Sequence, residues 1–541
     1  FGENGDPAWS PDGSRIAFVS EREDHAFIGV YDARSPAVAY LAPGVDRDSS
    51  PTWSPDGTRI AWIRRPGLPF GAGLRPPRAP EDTAVAADTA AAADSANAPP
   101  PGLFESRFRG GHELEIWIAN VATGEGRRLW AAPADDRGFN EIRRIHWMGD
   151  HIVFEAEPGN WRHWYSISAE RAEAEPVELT PGEGFVEHVA FSADGRTLFY
   201  ASNVDDIDHR DLWSVPVAGG DARRLTEGSG IETYPAALAS GASVAVLYAD
   251  ARRPQSVAVV PASGGEARMI TSLPADFPTG AHVVPENVTL TSPDSLEYHN
   301  QLFLPPDLRP GERRPAVIFI HGGSRRQMLL GYHYMHFYHM AYAINQYLAS
   351  RGYVVMSVNY RSGIGYGREF RNAPGRGREG NTEYQDILAA GRYLQSRPDV
   401  DPDRVGLWGL SYGGILTAQG LARNSDVFRA GVDMAGVHMW GDPTDPESVA
   451  FQSSAISSID KWTSPVLLIH GDDDRNVDFS QTVGLVQLLR AHDVPFELIV
   501  FPDDVHDSLL YRRWLQAFAA TDDFLRRTLV DGERVTTEGG R

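Results

Sequence analysis

The chain has 541 residues, enough for two or more domains, and its 42% hydrophobic and 23% charged content is ordinary for a globular protein. A net charge of −23 argues against nucleic acid or an anionic membrane surface as partner. The absence of cysteine excludes disulfides, thiolate metal sites and a cysteine nucleophile, and no apolar run approaches the ~20 residues of a membrane span.

Reading from the N-terminus, Asp6–Phe18 (DPAWSPDGSRIAF) recurs as Ser50–Trp62 (SPTWSPDGTRIAW). Weaker copies follow at Ile145–Phe154, Val189–Phe199 and Pro235–Val246. The anchoring apolar residues Trp9, Trp53, Trp147, Phe191 and Leu238 stand 44, 94, 44 and 47 residues apart. Strand–turn–strand signatures lie between them, as in Ile116–Glu125 and Leu212–Gly220. A period of this length carrying four short strands predicts a β-propeller of about five visible blades over 1–280. The doubled interval contains a Pro/Ala/Gly-rich tract without apolar periodicity, and 67–110 is expected to be a mobile insertion.

From 281 to 541 the pattern changes to alternating strands and helices. Strands are predicted at Ala316–Ile320, Val354–Tyr360 and Val405–Trp408, with helices near Met340–Arg351 and Tyr384–Ser396. Such alternation predicts a doubly wound, mostly parallel sheet covered by helices, the α/β-hydrolase arrangement. Within Tyr332–Tyr347, His333, His336 and His339 repeat at helical spacing, but no further ligands accompany them, so aromatic packing is the reading and no metal or other cofactor is expected. Arg325 and Arg326 offer a bidentate clamp for a peptide carboxylate, with plain surface solvation as the alternative.

Gly409-Leu-Ser-Tyr-Gly413 has the form G-x-S-x-G between a strand and a helical stretch, the setting of a nucleophile elbow at Ser411. Downstream, the strand Pro465–Gly471 runs into the acidic loop Asp472-Asp-Asp-Arg-Asn-Val477. The strand Phe496–Phe501 exits through Pro502-Asp-Asp-Val-His506. Loops leaving the carboxyl ends of parallel strands open on one edge, so Ser411, one of the loop aspartates and a histidine can converge there. A serine hydroxyl needs an imidazole to take its proton, and the imidazole needs a carboxylate to fix its tautomer. His506 is the base in this reading. Of its competitors His438, His470 and His492, His470 ends a strand in a His-Gly turn and His492 closes a helix, so both read as structural.

With these motifs the whole chain resembles the prolyl oligopeptidase family of serine peptidases, which includes dipeptidyl peptidase IV and the acylaminoacyl peptidases. The matching segments are FIHGGS at 319–324, VNYRSGIGYG at 358–367, GLSYGG at 409–414, SPVLLIHGDDDRNV at 464–477 and the loop ending in His506. The resemblance implies Asp474 as the triad carboxylate, with Asp473 as fallback, and the Tyr412 backbone N–H as an oxyanion donor. His321 occupies the place of the second donor. Asn476 matches the residue that holds a substrate backbone carbonyl, and Trp440, Val437 and Val477 match apolar walls of the first specificity pocket. Core packing is the competing reading for Trp440 and Val437.

The implied activity is hydrolysis of short peptides through an acyl-enzyme, with an esterase on the same triad or a non-catalytic peptide-binding propeller as alternatives. No Glu-Glu pair occurs in residues 1–280 to hold a free N-terminal amine. Oligopeptidase or acylaminoacyl-peptidase action is therefore expected over dipeptide release. Propellers of the family carry seven or eight blades, so at least two more, roughly 90 residues, are expected before Phe1. A removed leader would fit a bacterial periplasmic or secreted location, the expectation over a cytoplasmic one; a homo-oligomer is compatible with the sequence.

Overall fold

The computed structural model describes residues 2–67, 114–133, 136–535 and 539–540. The predicted mobile insertion, apart from Gly67, lies outside the described residues.

The N-terminal part is a series of antiparallel four-strand runs in chain order. The first two, Glu3–Trp9 to Ala37–Leu41 and Arg47–Trp53 to Gly126–Ala131, join into one eight-stranded sheet through the single pair Ala26–Arg47. Three separate four-stranded sheets follow, spanning Ile145–Glu178, Val186–Arg224 and Ile231–Met269. The repeated Ser-Pro-Asp-Gly segment makes the first turn of a run. Asp12 accepts from Ser10 Oγ at 2.6 Å and from Ser14 N at 3.1 Å, and Gly13 takes a left-handed φ of 68°. Asp56 repeats this with Ser54 Oγ (2.5 Å) and Thr58 N (3.0 Å), and Asp194 with Ser192 Oγ (2.6 Å) and Arg196 N (3.1 Å).

The same motif also joins neighbouring runs. Arg15 of the first repeat lies 5.3 Å over the Trp53 ring of the second, and Arg59 of the second lies 5.0 Å over Trp147 of the third. Trp53 Nε1 donates to Ala8 O at 2.9 Å. Thus Trp53 and Trp147 are buried, whereas Trp9 is 62% exposed.

A nine-stranded sheet forms the C-terminal part. Its strands are β1 (Glu286–Thr291), β2 (Glu297–Phe303), β3 (Arg314–Ile320), β4 (Val354–Val358), β5 (Val400–Leu410), β6 (Ala430–Met434), β7 (Val466–Gly471), β8 (Phe496–Phe501) and β9 (Gly539–Gly540). The order is β1-β2-β4-β3-β5-β6-β7-β8-β9, parallel from β4 onward. The central strands are apolar runs because both faces are covered: every residue of β4 and β6 is buried. Helices α1 (His336–Ser350), α2 (Glu383–Ser396), α3 (Tyr412–Arg423), α4 (Ser480–Ala491) and α5 (Tyr511–Leu525) pack on the two faces. In α1 the buried residues Phe337, Tyr338, Ala341, Tyr342, Asn345 and Leu348 recur at three- and four-residue spacing, one helical face.

Side-chain contacts tie the two parts together near the β3 exit. Arg210 donates to Gln327 Oε1 at 2.7 Å, Asn203 Nδ2 donates to Gly365 O at 2.9 Å, and Arg371 pairs with Glu157. Among the described residues no helix is long and apolar enough to cross a membrane.

Candidate active site

Ser411 follows directly on β5 and precedes α3, at φ 60° and ψ −117°. A β-carbon on Gly409 would stand 2.6 Å from Ile320 O, and one on Gly413 2.0 Å from the same atom. Only glycine lets the turn approach β3 this closely. The Ser411 N–H donates to Met434 O at 2.8 Å, which pins the turn to the end of β6. Its hydroxyl makes no hydrogen bond with a described residue.

Two strands further along, the β7 exit loop turns Asp474 back under cover. Asp474 Oδ1 accepts from Asn476 N (2.8 Å) and Val477 N (2.9 Å), and Oδ2 meets His506 Nδ1 at 2.6 Å. Burial alone would raise this carboxyl's pKa; the Val477 N–H and the His506 contact outweigh it and hold the group below the usual carboxylate range. The other two loop aspartates are exposed: Asp472 Oδ1 accepts from Asp503 N at 2.7 Å, bracing the His506 loop, and Asp473 faces Arg475 at 3.3 Å. A small cleft lined by Leu410, Ala435, His470, Val505, His506 and Trp514 joins the β5 end to the histidine loop.

The competing histidines are engaged elsewhere. His438 Nε2 contacts Asp433 at 2.7 Å, and His492 closes α4. His470 has a part that its sequence context did not reveal: its Nε2 lies 3.0 Å from Asp474 Oδ2. Of the three helical-spaced histidines, His333 is buried and accepts from Met335 N at 3.0 Å, and the rings of His336 and His339 lie 6.0 Å apart.

Tyr412, the first residue of α3, leaves its backbone N–H at the helix start beside Ser411, and its hydroxyl donates to Glu383 Oε1 at 2.9 Å. Glu383 was not singled out in the sequence. It is buried and also accepts from Ser362 Oγ (2.5 Å) and Gly377 N (3.0 Å).

His321 requires a correction. Its ring is 0% exposed, lies flat on Tyr360 with centroids 4.2 Å apart, and places Nδ1 3.1 Å from Gly322 O. Burial pushes its pKa down to about 3 and keeps it neutral; fully covered and stacked on Tyr360, the ring is not open to the cleft. The neighbouring glycine is what approaches the nucleophile: a β-carbon on Gly322 would stand 3.3 Å from Ser411 Cβ and 3.2 Å from the Tyr338 hydroxyl.

Of the expected pocket residues, Trp440 is half-buried with its ring 6.4 Å from that of Tyr412, and Val437 is half-buried on the β6 exit loop. Asn476 is exposed and Val477 buried, both tied by their N–H groups to Asp474. Arg325 and Arg326 are half-buried on the β3 exit loop, not on open surface.

A serine on a strained strand–helix turn, with an Asp–His pair on later strand exits of a parallel sheet, defines an α/β-hydrolase with a serine nucleophile site. Residues 338–532 match the model of the prolyl oligopeptidase family, and residues 114–253 match the dipeptidyl peptidase IV N-terminal region. Over these residues the chain is similar to the prolyl oligopeptidase family of serine peptidases. It is 32% identical to human dipeptidyl peptidase 8 over 252 residues, covering 44% of this chain and 28% of that protein. It is 27% identical to dipeptidyl aminopeptidase BIII of Pseudoxanthomonas mexicana over 264 residues, 44% of this chain and 36% of that one. The chain thus spans about a third of the length of these relatives. In fold it is similar to a Mycobacterium tuberculosis puromycin-hydrolyzing peptidase (TM-score 0.71, 20% identity, covering 100% of this chain and 80% of that one). It is likewise similar to Pyrococcus horikoshii acylaminoacyl peptidase (TM-score 0.59, 19% identity, 97% and 89%).

Proposed function

We propose that this protein is a serine peptidase that hydrolyses short peptides through an acyl-enzyme, of oligopeptidase or acylaminoacyl-peptidase type. The observation that carries the reading is the 2.6 Å contact between His506 Nδ1 and the buried Asp474, made on the strand-exit edge where the Ser411 elbow also opens.

In this mechanism Ser411 Oγ attacks the peptide carbonyl while His506 Nε2 takes its proton. Asp474 holds Nδ1–H and stabilises the imidazolium. His506 then returns the proton to the leaving amine, and water repeats the sequence on the ester. The Tyr412 N–H receives the oxyanion, and the Gly322–Gly323 turn, lying against Ser411, supplies the backbone for a second donor. Each such donor is worth roughly 3–4 kcal/mol of transition-state stabilisation. Trp440 and Val437 line the pocket for a small apolar side chain, and Asn476 holds a substrate backbone carbonyl.

We infer further that residues 1–280 are a β-propeller segment that restricts entry to short or unfolded chains, and that 281–541 is the catalytic domain. The repeat spacing, the four-strand runs and the Arg-over-Trp contacts between repeats support this reading. Cleavage of an N-acylated and free-amine peptide library, read by mass spectrometry, tests the function. The expected result is Ser411-dependent cleavage with N-acylated peptides turned over at least as fast as free amines. Much faster release of dipeptides from free amines would refute the oligopeptidase and acylaminoacyl assignment.

A further inference from the structure

The loop from Pro502 to Ser508 carries His506, and it is held from two sides. At its entry Asp503 takes a left-handed φ of 57°, and Asp504 after it is buried. The β7 exit loop holds one side: Asp472 Oδ1 accepts from Asp503 N at 2.7 Å, and Asp473 N donates to Asp504 O at 3.1 Å. Gly471 leaves room for this, since a β-carbon there would stand 2.5 Å from Asp504 O.

Helix α5 holds the other side with two consecutive residues. Trp514 Nε1 donates to Ser508 O at 2.9 Å and fixes the loop's end. The Arg513 guanidinium covers its root. It lies 4.8 Å over the Phe501 ring, its Nη2 donates to Pro502 O at 3.5 Å, and its Nε stands 3.8 Å from Asp504 Oδ2.

Arg513 Nε and Asp504 Oδ2 are both buried, and neither has a hydrogen-bond partner among the described residues. At 3.8 Å they attract as charges without sharing a hydrogen bond. Among the described residues Arg513 has no other carboxylate within 4.0 Å, and Asp504 no other cation. Each is the other's counter-charge, and a buried charge that loses its partner is strongly unfavourable. Asp504, His506 and Arg513 line the same small cleft, so a shift of the pair is a shift of the loop that carries the base.

We propose that Asp504 and Arg513 are positioning residues of the reaction, a buried ion pair that fixes the His506 loop so that Nε2 is presented to Ser411 while Nδ1 keeps Asp474. The inference rests on the peptidase reading of Ser411 and His506 and adds to it the pair that sets the base. Neither residue touches the reacting atoms. A displacement of about 1 Å at a catalytic group costs on the order of a hundredfold in rate, so the effect of the pair falls on kcat.

The test compares wild type with Asp504→Asn, Arg513→Met, Arg513→Lys and the double variant Asp504→Asn/Arg513→Met. Each is measured for kcat and KM on one N-acyl peptide and for the rate of phosphonate labelling at Ser411, with thermal melting as the control for folding. Asp504→Asn and Arg513→Met are expected to lower kcat and the labelling rate together, by about tenfold or more, with KM within about twofold of wild type. Arg513→Lys keeps a cation beside Asp504 and should recover most of that loss. The double variant should be no slower than the slower single one, because the two residues act as a unit. A change confined to KM or to the melting temperature in both single variants would overturn the proposal, as would a double variant whose loss is the product of the two single losses. Should Arg513→Met fail to fold, Asp504→Asn decides: an unchanged kcat and labelling rate there overturns the pair. Wild-type protein that neither cleaves the peptide nor labels at Ser411 would overturn the peptidase reading and this one with it.

Discussion

His470 Nε2 lies 3.0 Å from Asp474 Oδ2, and neither side chain reaches solvent. The same nitrogen faces Val477 O at 3.1 Å, while Nδ1 sits 2.7 Å from Thr482 Oγ1. Two acceptors at Nε2 place the hydrogen there, so Nδ1 accepts from the Thr482 hydroxyl. Burial lowers the His470 pKa and keeps the ring neutral, although Asp474 works against this. His470 is therefore a fixed donor to the carboxylate that orients His506.

Removing that donor leaves the buried carboxylate one hydrogen bond short and free to tilt. His470→Ala is expected to lower kcat about 10- to 100-fold, the cost of a lost hydrogen bond to a charged group, with KM little changed. Steady-state kinetics on one N-acyl peptide substrate check this, together with the rate of phosphonate labelling of Ser411. An unchanged kcat would reduce His470 to a packing residue.

Glu232 gives a prediction about pH. It is buried on the strand Ile231–Ala237, and burial together with the Asp211 charge pushes its pKa up to about 8. Asp211 is itself raised to about 6, chiefly by burial, with Arg224 opposing. A folded-state value above the unfolded one means the native state holds the proton more tightly. The contribution is therefore complete below the unfolded carboxylate value and lost as pH rises through about 8. Glu232→Gln is expected to be more stable than wild type at pH 8.5 by of order 3 kcal/mol and so to unfold at a higher temperature, with the difference closing near pH 4.5. Paired thermal melts at the two pH values check it.

Asp386 is the buried hub behind the β4 exit. Beyond Ser292 Oγ it accepts from Arg361 N (2.8 Å), Nε (3.0 Å) and Nη2 (2.8 Å), and both partners of the ion pair are buried. Asp386→Ala strands the Arg361 charge with only the more exposed Asp294 as partner. It is expected to destabilise the protein by about 3–5 kcal/mol, read from denaturant unfolding. A loss under 1 kcal/mol would contradict the burial argument.

How much of this was legible in the sequence depends on which physical constraint fixed each residue. The elbow was readable because Gly409 and Gly413 are demanded by backbone contact with Ile320 O. The parallel sheet was readable because doubly covered strands such as Val354–Val358 are continuous apolar runs. Spacing alone left three loop aspartates open, and the family resemblance chose Asp474; in the structure it is the one folded back to meet His506. His470 reads from the sequence as structural because its contact with Asp474 depends on how the β7 exit loop folds back, and Glu383 is not singled out because its partner Tyr412 lies 29 residues away. The His321 ring was misread for the same reason, since its cover, Tyr360, comes from 39 residues further along the chain. The exposure of Trp9 against the burial of Trp53 and Trp147 likewise depends on which neighbour stands beside each repeat.

The mechanism proposed above makes Ser411 a nucleophile activated by His506 and Asp474. Treatment with a fluorophosphonate probe, followed by peptide mapping, tests it most directly. Stoichiometric labelling is expected at Ser411, none in Ser411→Ala, and labelling slowed by about three or more orders of magnitude in His506→Ala. Labelling that fails in the wild-type protein, or that maps to another residue, would contradict it.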